Sequence, residues 1–401
     1  MMKDKKIESL IKKEKERQKK VTNLIASENY VSKDVLAALG SELVNKYAEG
    51  YPGKRYYGGN EIVDQIETLC QIQALKLFKL NPKKWAVNAQ PLSGSPANLA
   101  VYLALVPQKV KTSMKLGKIM GMALDQGGHL THGHKVSATG KFWQQVSYGV
   151  DPKTEQLDYE VIKKLAQKEK PDIIVAGFTA YSRKINFKKF REIADSCGAL
   201  LMVDMSHIAG LVAAGVHMSP FSYADIVTTT THKTLRGPRA GLIFSLIDDR
   251  ELNKKIDKAV FPGLQGGPHI NQITAVAVAL VEAMKPEFKK YAKQVIKNAK
   301  TLAAELKKRG WRIVSGGTDN HLLLVDVAGS TKGQLAGKKA SALLEKEGII
   351  VNKNTIPFDT RSPMDPSGLR LGTAPETTRG KTEKDMIKIA EKIDKILRNV
   401  N

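Results

Sequence analysis

One lysine stands in an unusual setting in this sequence. The chain has 64 lysine and arginine residues among 401, yet no lysine occurs from Phe190 to His232, and the next one after Lys233 is Lys254. The residues around Lys233 read TTTTHKTLRGPRAG. A lysine far from bulk water is readily deprotonated and can capture an aldehyde as a Schiff base. An isolated lysine more often caps a strand end or reaches water, so the neighbouring residues must decide between the two interpretations.

Asp204 is the first such neighbour. It ends the apolar run LLMVD, and Lys233 follows the next apolar run along the chain. In an open α/β sheet the carboxyl ends of the strands form the crevice where ligands bind, so both side chains should open into it. A carboxylate that faces a lysine-held aldehyde favours pyridoxal phosphate, whose protonated ring nitrogen makes it an electron sink. Taken alone, Asp204 could equally cap the following turn.

A phosphate also needs a binding segment, and PLSGSPAN at 91–98 is a candidate. Its hydroxyl residues and glycine precede a helix that we expect to open at Pro96, so N–H groups and the helix dipole should converge on one point. The candidate contacts are Ser93, Gly94 and Ser95. The glycine-rich segment PGLQGGP at 262–268 is a second candidate. Each signal is weak alone, because many loops before helices have this composition.

Short apolar runs alternate with helical patterns beyond Trp85. The predicted strands are 118–124, 171–178, 199–205, 224–231 and 240–247. A helix is predicted over Phe187–Ser196 between two of them. Uniformly apolar strands separated by helices indicate a mostly parallel sheet covered on both faces, so the predicted fold class is α/β.

A second, smaller α+β unit is predicted from about residue 286. A long amphipathic helix begins at Pro286 and ends before Gly310, with apolar residues at helical spacing. These are Tyr291, Val295, Ala299, Leu302 and Leu306. The strand candidates RIVSG, HLLLVDV and GIIVN follow, with helices over 334–347 and Glu383–Arg398. We therefore predict an N-terminal helical arm at 1–20, a large domain at 21–285 and a small C-terminal domain at 286–401.

Charge and composition narrow the range of partners. The formal charge of +24 would suit nucleic acid, but the basic residues are interleaved with acids on predicted helix faces, so nucleic acid is not a required partner. Cys70 and Cys197 have no metal or redox spacing, which suits a reducing compartment, and no metal site is expected. The N-terminus lacks a signal-peptide core, and the apolar segment Ile273–Met284 is too short to span a bilayer. A cytoplasmic location and no membrane association are therefore expected.

Eight sequence blocks together resemble the serine hydroxymethyltransferase family over nearly the whole chain. They are LIASENY (24–30), YAEGYPGKRYYGG (47–59), QPLSGSPAN (90–98), GGHLTHG (127–133), VDMSHIAGL (203–211), TTTTHKTLRGPRAG (228–241), FPGLQGGPH (261–269) and SGLRLGT (367–373). The resemblance implies the aminotransferase-like fold of type I, with a mostly parallel sheet in the large domain. It also implies a reversible interconversion of serine and glycine, in which the hydroxymethyl carbon passes to tetrahydrofolate as 5,10-methylenetetrahydrofolate.

The resemblance also implies the cofactor contacts. Lys233 would hold pyridoxal phosphate covalently, Asp204 would pair with the ring nitrogen, and His129 would stack on the ring. The further contacts within the subunit would be Ser93, Gly94, Ser95, Thr179, His207 and His232. Family members bind the phosphate partly from the neighbouring subunit, and the matching residues are Tyr47, Gly266 and Gly267. A homodimer with shared active sites, or a tetramer built from such dimers, is therefore expected.

The substrate contacts follow in the same way. Arg370 resembles the arginine that clamps the amino-acid carboxylate, which suits its bidentate donor geometry. Glu49 would be the acid/base near the substrate hydroxyl and folate, and Tyr57 a hydrogen-bonding tyrosine beside it. Ser27 and His207 would also face the substrate. The residues that fall where the family holds the pterin of tetrahydrofolate are Leu124, Gly128, Leu130 and Asn354.

Two segments depart from the family pattern, and two rival functions stay open. Met364–Pro366 stand where many relatives have Phe-Val-Thr near the folate pocket, and Ala374–Pro375 reverse the usual order. One rival is a folate-independent aldolase or transaminase that uses pyridoxal phosphate; GGHLTHG and the Glu49 block favour the transferase. The other is a basic nucleic-acid binder that has lost catalysis, against which the intact motifs argue. The positive charge would attract a polyanionic, polyglutamylated folate.

Overall fold

The computed structural model describes residues 3–107 and 116–399. The helices of this part are α1 (Lys5–Lys20), α2 (Lys33–Leu39), α3 (Glu61–Leu77), α4 (Gly94–Leu105), α5 (Ala138–Phe142), α6 (Tyr159–Glu169), α7 (Phe187–Asp195), α8 (Ala209–Ala213), α9 (Leu252–Lys258), α10 (Ile270–Ala283), α11 (Pro286–Lys308), α12 (Val327–Ser330), α13 (Gly337–Lys346), α14 (Ala374–Thr378) and α15 (Glu383–Arg398). Its strands are β1 (Thr22–Asn23), β2 (Gly50–Tyr51), β3 (Lys54–Arg55), β4 (Trp85–Asn88), β5 (Lys118–Met122), β6 (Gln144–Tyr148), β7 (Ile173–Gly177), β8 (Leu200–Asp204), β9 (Ile226–Thr230), β10 (Gly241–Leu246), β11 (Arg312–Ile313), β12 (Leu322–Asp326), β13 (Ile349–Ile350), β14 (Asn352–Asn354) and β15 (Gly368–Gly372).

The larger of two compact units spans Ser27–Lys293 and is built on one wide sheet. Its strand order is β4-β10-β9-β8-β7-β5-β6. The pairs from β6 to β9 are parallel, whereas β10 runs antiparallel to both β9 and β4. The predicted α/β class with a mostly parallel sheet is therefore confirmed.

The central strands are apolar because helices cover both faces of the sheet. Every residue of β7 and of β9 is buried, and β7 packs with α4 in one core cluster. All five predicted strands are present. The two edge strands, β4 and β6, were not predicted, and in β6 the residues alternate between exposed and buried. An edge strand with one wet face has no continuous apolar run, which explains the omission of β6. In contrast, β4 is mostly buried, but its apolar run is only the three residues 85–87.

The helix after PLSGSPAN begins earlier than its sequence predicts. We expected Pro96 to open it, but α4 begins at Gly94, with Ser93 as its N-cap residue. Proline is tolerated at the third helical position because the first N–H groups of a helix have no partner within it. Gly94 and Ser95 are thus the first two helical residues, and their N–H groups point out of the helix end.

The second unit is formed by residues 3–26 and 294–399 of the described chain. Its antiparallel sheet has the order β11-β12-β15-β14, and β1 pairs in parallel with β13. The core includes Trp311, Leu323 and Met386. The apolar stripe of α11 is buried as predicted, and the border between the units falls within this helix. This division groups residues 21–26 with the C-terminal part, whereas our domain assignment places them in the large domain; that assignment stays a prediction.

None of the described helices combines the length and hydropathy that a membrane crossing needs.

Candidate active site

A cavity of about 220 Å³ opens at the carboxyl ends of the central strands of the larger unit. Asp204 is the last residue of β8, Thr230 is the last of β9, and Thr179 follows β7. Ten residues predicted from the sequence line this cavity: Ser27, Ser93, Gly94, Ser95, His129, Thr179, Asp204, His207, His232 and Lys233. The lining also contains six residues that we did not predict: Asn98, His132, Phe178, Ser206, Thr230 and Arg239.

Asp204 is held at both carboxylate oxygens. Its Oδ1 accepts hydrogen bonds from the Ser206 N–H at 3.1 Å and from the Ser206 hydroxyl at 2.5 Å. Its Oδ2 accepts from Asn98 Nδ2 at 2.8 Å and lies 3.2 Å from His132 Nε2. Asn98 is oriented in turn by the Thr228 hydroxyl, which donates to Asn98 Oδ1 at 2.7 Å.

These partners decide the charge state of Asp204. Burial alone would raise the pKa of this carboxyl, but the hydrogen bond and charge of His132, the charge of His129 and the Ser206 hydroxyl outweigh it. The net effect is a pKa below the usual range of an aspartate. The carboxylate is therefore a fixed negative charge at the base of the cavity at neutral pH.

Lys233 faces the same cavity from the turn after β9. Its Nζ donates to the Thr230 hydroxyl at 3.1 Å, and both residues lie in the segment TTTTHK. The backbone around it is fixed, since the Thr234 hydroxyl donates to the His207 carbonyl at 3.0 Å and accepts from the Gly210 N–H at 3.0 Å. The amine thus sits on a rigid wall, which suits a nucleophile that must be presented in one direction.

The N-terminus of α4 forms another wall. A β-carbon at Gly94 would lie 2.6 Å from Thr230 Cγ2, so only glycine lets the helix end approach this closely. Nearby, His232 Nδ1 is buried and has no hydrogen-bond partner among the described residues. Burial, with the charges of Lys233 and Arg239, lowers the pKa of His232 to about 3. Helix N–H groups, hydroxyls and a neutral imidazole are donors that suit a phosphate.

His129 lies on the rim of the cavity. Its Nδ1 is 2.7 Å from the Thr131 hydroxyl, and its ring centroid is 5.5 Å from that of His132. The predicted pterin residues of the same segment, Leu124, Gly128 and Leu130, are not among the cavity-lining residues. Their role stays a prediction.

Five further predicted residues form a separate group, which we call the tyrosine cluster: Tyr47, Glu49, Tyr57, Gly266 and Gly267. The Tyr47 hydroxyl donates to Glu49 Oε1 at 3.4 Å, and the Tyr47 and Tyr57 rings meet edge to face at 5.4 Å. A β-carbon at Gly267 would lie 3.2 Å from the Tyr47 ring. Nothing in this cluster lines the cavity of its own chain. The roles expected for Glu49 and Tyr57 therefore stay predictions.

Arg55 holds the backbone of the loop that carries Glu49. The sequence did not predict this role of Arg55. Arg55 Nη1 donates to the carbonyls of Ala48 and Gly50, each at 2.8 Å, on either side of Glu49. The same guanidinium pairs with Asp64 at 2.8 Å and Glu67 at 2.6 Å. The Arg55 side chain is 4% exposed and that of Glu67 is 0%. The backbone at Glu49 is thus fixed although its side chain lies in a group with exposed rings.

The two remaining predicted residues, Arg370 and Asn354, belong to the second unit. Arg370 is buried in β15 and its Nε donates to Asn352 Oδ1 at 3.1 Å. Burial lowers the pKa of this guanidinium to about 10, so it stays charged at neutral pH. Asn354 lies on the neighbouring strand β14, opposite Gly368.

Within residues 3–107 and 116–399, no group of three or more His, Cys, Asp or Glu side chains could hold a metal ion. The cavity instead offers an amine, a fixed carboxylate and a phosphate-type donor set.

Comparison with known families agrees with this chemistry. The sequence model described as serine hydroxymethyltransferase matches residues 1–393, which is nearly the full chain. This confirms the family resemblance and the type I fold. The chain therefore belongs to the serine hydroxymethyltransferase family and is a transferase that depends on pyridoxal phosphate.

Proposed function

We propose that this chain transfers the hydroxymethyl carbon of serine to tetrahydrofolate, giving glycine and 5,10-methylenetetrahydrofolate, and catalyses the reverse reaction. The general serine and glycine chemistry of the family underlies this proposal. The observation that carries it here is the cavity that holds both Lys233 Nζ and the fixed carboxylate of Asp204.

The cavity residues fit pyridoxal phosphate in three respects. Lys233 offers the amine that binds the aldehyde carbon, and Asp204 offers an acceptor for a protonated ring nitrogen. Ser93, Gly94 and Ser95, with the buried Nδ1 of His232, offer donors for the phosphate. When bound, the cofactor supplies an electron sink for the bonds at the substrate α-carbon.

The chain's own residues then supply charge and orientation. Asp204 stays ionised because Asn98, Ser206 and His132 hold its oxygens, so it keeps a proton on a facing ring nitrogen. His129 is proposed to cover the ring from the rim, with Thr179 beside it. His207 and Ser27 line the part of the cavity that we assign to the amino-acid substrate.

Arg370 is proposed to bind the substrate carboxylate. Its guanidinium is buried and charged, and burial strengthens a charge-assisted hydrogen bond to an anion. A planar bidentate donor fits a carboxylate better than a lysine would.

The tyrosine cluster is proposed to serve the cavity of a second copy of the chain. Glu49 would move a proton at the substrate hydroxyl there, Tyr57 would donate a hydrogen bond beside it, and Tyr47 with Gly266 and Gly267 would contact the phosphate. Two facts support this assignment: the cluster misses its own cavity, and Tyr47 and Tyr57 are 56% and 51% exposed. Apolar side chains on α3 are exposed as well, namely Ile62, Leu69 and Ile72. Such a surface suits a symmetric dimer interface.

Tetrahydrofolate is proposed to bind beside Leu124, Gly128, Leu130 and Asn354. This part of the proposal rests on the family resemblance, and Met364–Pro366 lie in a segment where the chain departs from it. A cytoplasmic location also stays a prediction.

The test is a serine and glycine exchange assay with the purified protein, with and without tetrahydrofolate. Lys233→Ala should lower the rate by roughly a thousandfold or more, as expected for loss of a nucleophile. Lys254→Ala is the matched control, because that lysine is exposed and pairs only with Glu251 in the described structure at 2.5 Å. A wild-type rate that does not depend on tetrahydrofolate would favour the folate-independent rival. Full activity in Lys233→Ala would refute the proposal.

A further inference from the structure

The turn that follows Lys233 has an unusual backbone. Arg236 has a φ of 62°, in the left-handed region that residues with a β-carbon adopt at an energetic cost. The Arg236 N–H donates to the carbonyl of Lys233 at 3.1 Å, and the Gly237 N–H donates to the Thr231 carbonyl at 2.7 Å. The chain therefore reverses direction directly after the lysine.

The Arg236 side chain is stacked on aromatic rings. Its guanidinium carbon lies 4.4 Å from the centroid of the Tyr291 ring and 5.2 Å from that of Phe288. Both rings belong to the first turns of α11, within the larger unit. A flat, weakly hydrated guanidinium is well suited to stack on such rings.

Tyr291 reaches the same turn a second time through its hydroxyl. This hydroxyl donates to the Thr234 carbonyl at 3.2 Å and accepts from Asn29 Nδ2 at 2.8 Å. Asn29 Nδ2 also donates to the Lys233 carbonyl at 2.9 Å. One tyrosine thus contacts the turn at Arg236 through its ring and at Thr234 through its oxygen.

We propose that Arg236 and Tyr291 are positioning residues for Lys233, whose stacked side chains hold the strained turn so that Nζ stays directed into the cavity. A turn that only had to reverse the chain would be better served by glycine, which adopts this φ without cost. Arginine keeps the strain, so its stacking contact must offset it. The inference rests on the proposed function, since it takes Lys233 to be the residue that binds pyridoxal phosphate.

The experiment measures two properties of the purified protein that do not depend on turnover. One is the dissociation constant of pyridoxal phosphate, and the other is the visible circular dichroism per bound cofactor, which reports how firmly its orientation is fixed. Arg236→Ala should weaken cofactor binding roughly tenfold, the scale of one desolvated cation–π contact, and reduce the dichroism. Arg236→Gly should lose less, because glycine removes the backbone strain while also removing the stack.

Two further variants separate the contacts. Tyr291→Phe keeps the ring and loses the hydroxyl, so it should keep the Arg236 stack and show a smaller loss than Tyr291→Leu. The double variant Arg236→Ala with Tyr291→Leu should be little worse than Tyr291→Leu alone, since that single variant already removes the shared stack as well as the hydroxyl contacts. Losses that simply multiply would overturn the idea that the two side chains act as a pair.

Arg398→Ala is the matched control. Arg398 stacks on Trp311 at 4.9 Å in the other unit, so its loss should lower the unfolding midpoint and leave the cofactor dissociation constant unchanged. Wild-type affinity and dichroism in a folded Arg236→Ala protein would overturn the inference. If Arg236→Ala fails to fold, Arg236→Gly decides by the same two measurements. Lys233→Ala distinguishes a failure of this inference from a failure of the proposed function. If Lys233→Ala binds the cofactor as the wild-type protein does, the proposed function fails as well.

Discussion

The cavity and the tyrosine cluster both contain residues that we expect to act on the substrate or cofactor, but they differ in burial and in how firmly hydrogen bonds fix their side chains. In the cavity, Asp204 has partners on both oxygens and Lys233 donates to Thr230, all from the same chain and mostly buried. In the tyrosine cluster, Glu49 accepts from Tyr47 through one long contact of 3.4 Å, and the rings are half exposed. The negative charge of Glu49 raises the pKa of Tyr47. The difference is the one expected if the tyrosine cluster serves the cavity of a second copy of the chain, as proposed above.

In the tyrosine cluster it is the backbone at Glu49 that is held firmly, through Arg55. Replacement of Arg55 should therefore give the largest effect on stability. Burial raises the pKa of Glu67 even though Arg55 pairs with it, so removal of the arginine leaves a costly buried acid. Arg55→Ala should lower the free energy of unfolding by about 3–5 kcal/mol, as loss of one partner of a buried ion pair does. Urea unfolding measures this. The double variant Arg55→Met with Glu67→Leu should regain stability but not activity, because the Ala48 carbonyl then loses its Arg55 donor and the Gly50 carbonyl keeps only the bond from Gln90 Nε2 at 2.9 Å. Recovery of activity in the double variant would contradict the role of the clamp.

The fixed charge of the cavity gives the next largest effect. Asp204→Asn should reduce kcat by roughly a hundred- to a thousandfold, the scale of one preorganised electrostatic contact. Asp225→Asn is a matched control, because both carboxylates are 9% exposed, yet Asp225 pairs with Arg191 and Arg250 at the opposite end of β9. This control should lose stability and keep kcat. Equal losses of kcat in the two variants would show that Asp204 acts only on the fold.

His232 gives the cavity a pH dependence of stability between neutral and acidic pH. Its folded pKa of about 3 lies below its ordinary value of 6.5, because burial and nearby cations disfavour the charged ring. The neutral ring therefore contributes stability that is present above pH 6.5 and lost as the pH falls from there toward 3. Between pH 7 and pH 5 the cofactor-free protein should lose about 2 kcal/mol from this group. Urea unfolding of His232→Gln should show a smaller loss of unfolding free energy between pH 7 and pH 5. A loss identical to that of the wild-type protein would show that His232 is not its source.

The smallest effect is expected at the edge of the tyrosine cluster. Tyr47→Phe keeps the ring against Gly267 and the edge contact with Tyr57, and removes the hydroxyl with its long hydrogen bond to Glu49 and its contact with the Gly267 backbone. The change in unfolding free energy should be below about 1 kcal/mol, as for a typical hydrogen bond. Steady-state kinetics should show a modest fall in kcat. Tyr56→Phe is the comparison variant, since Tyr56 is more exposed and its ring meets Phe261 instead. A large loss of stability in Tyr47→Phe would mean that the hydroxyl has a structural role.

The sequence predicted the central strands and the long helix because their apolar residues recur without interruption. It did not predict β6, whose exposed face interrupts the pattern, and it placed the start of α4 two residues late because proline was taken as the first helical residue. The boundary between the two units was harder to predict from the sequence, because β1 pairs with the distant β13 and no local pattern specifies this pairing.

The site was predictable where a motif holds neighbouring residues together. Asn98 and His132 were missed although they belong to the quoted segments PLSGSPAN and GGHLTHG, one helical turn beyond Ser95 and three residues beyond His129. Their membership in those motifs was the available signal. Arg55 had a weaker signal, because its role depends on Glu67 and on two backbone carbonyls that only the fold brings together. The separation of Glu49 and Tyr57 from Lys233 is likewise a property of the fold alone.

The most direct test of the claim that two copies share one site is subunit mixing. Lys233→Ala disables the cavity and Glu49→Gln disables the tyrosine cluster, and each homodimer should be inactive. After subunit exchange, a mixed dimer carries both defects in one site and neither in the other, so an equal mixture should regain about a quarter of wild-type activity. Mixed dimers that form, as shown by mass or by two affinity tags, and yet stay inactive would contradict the account.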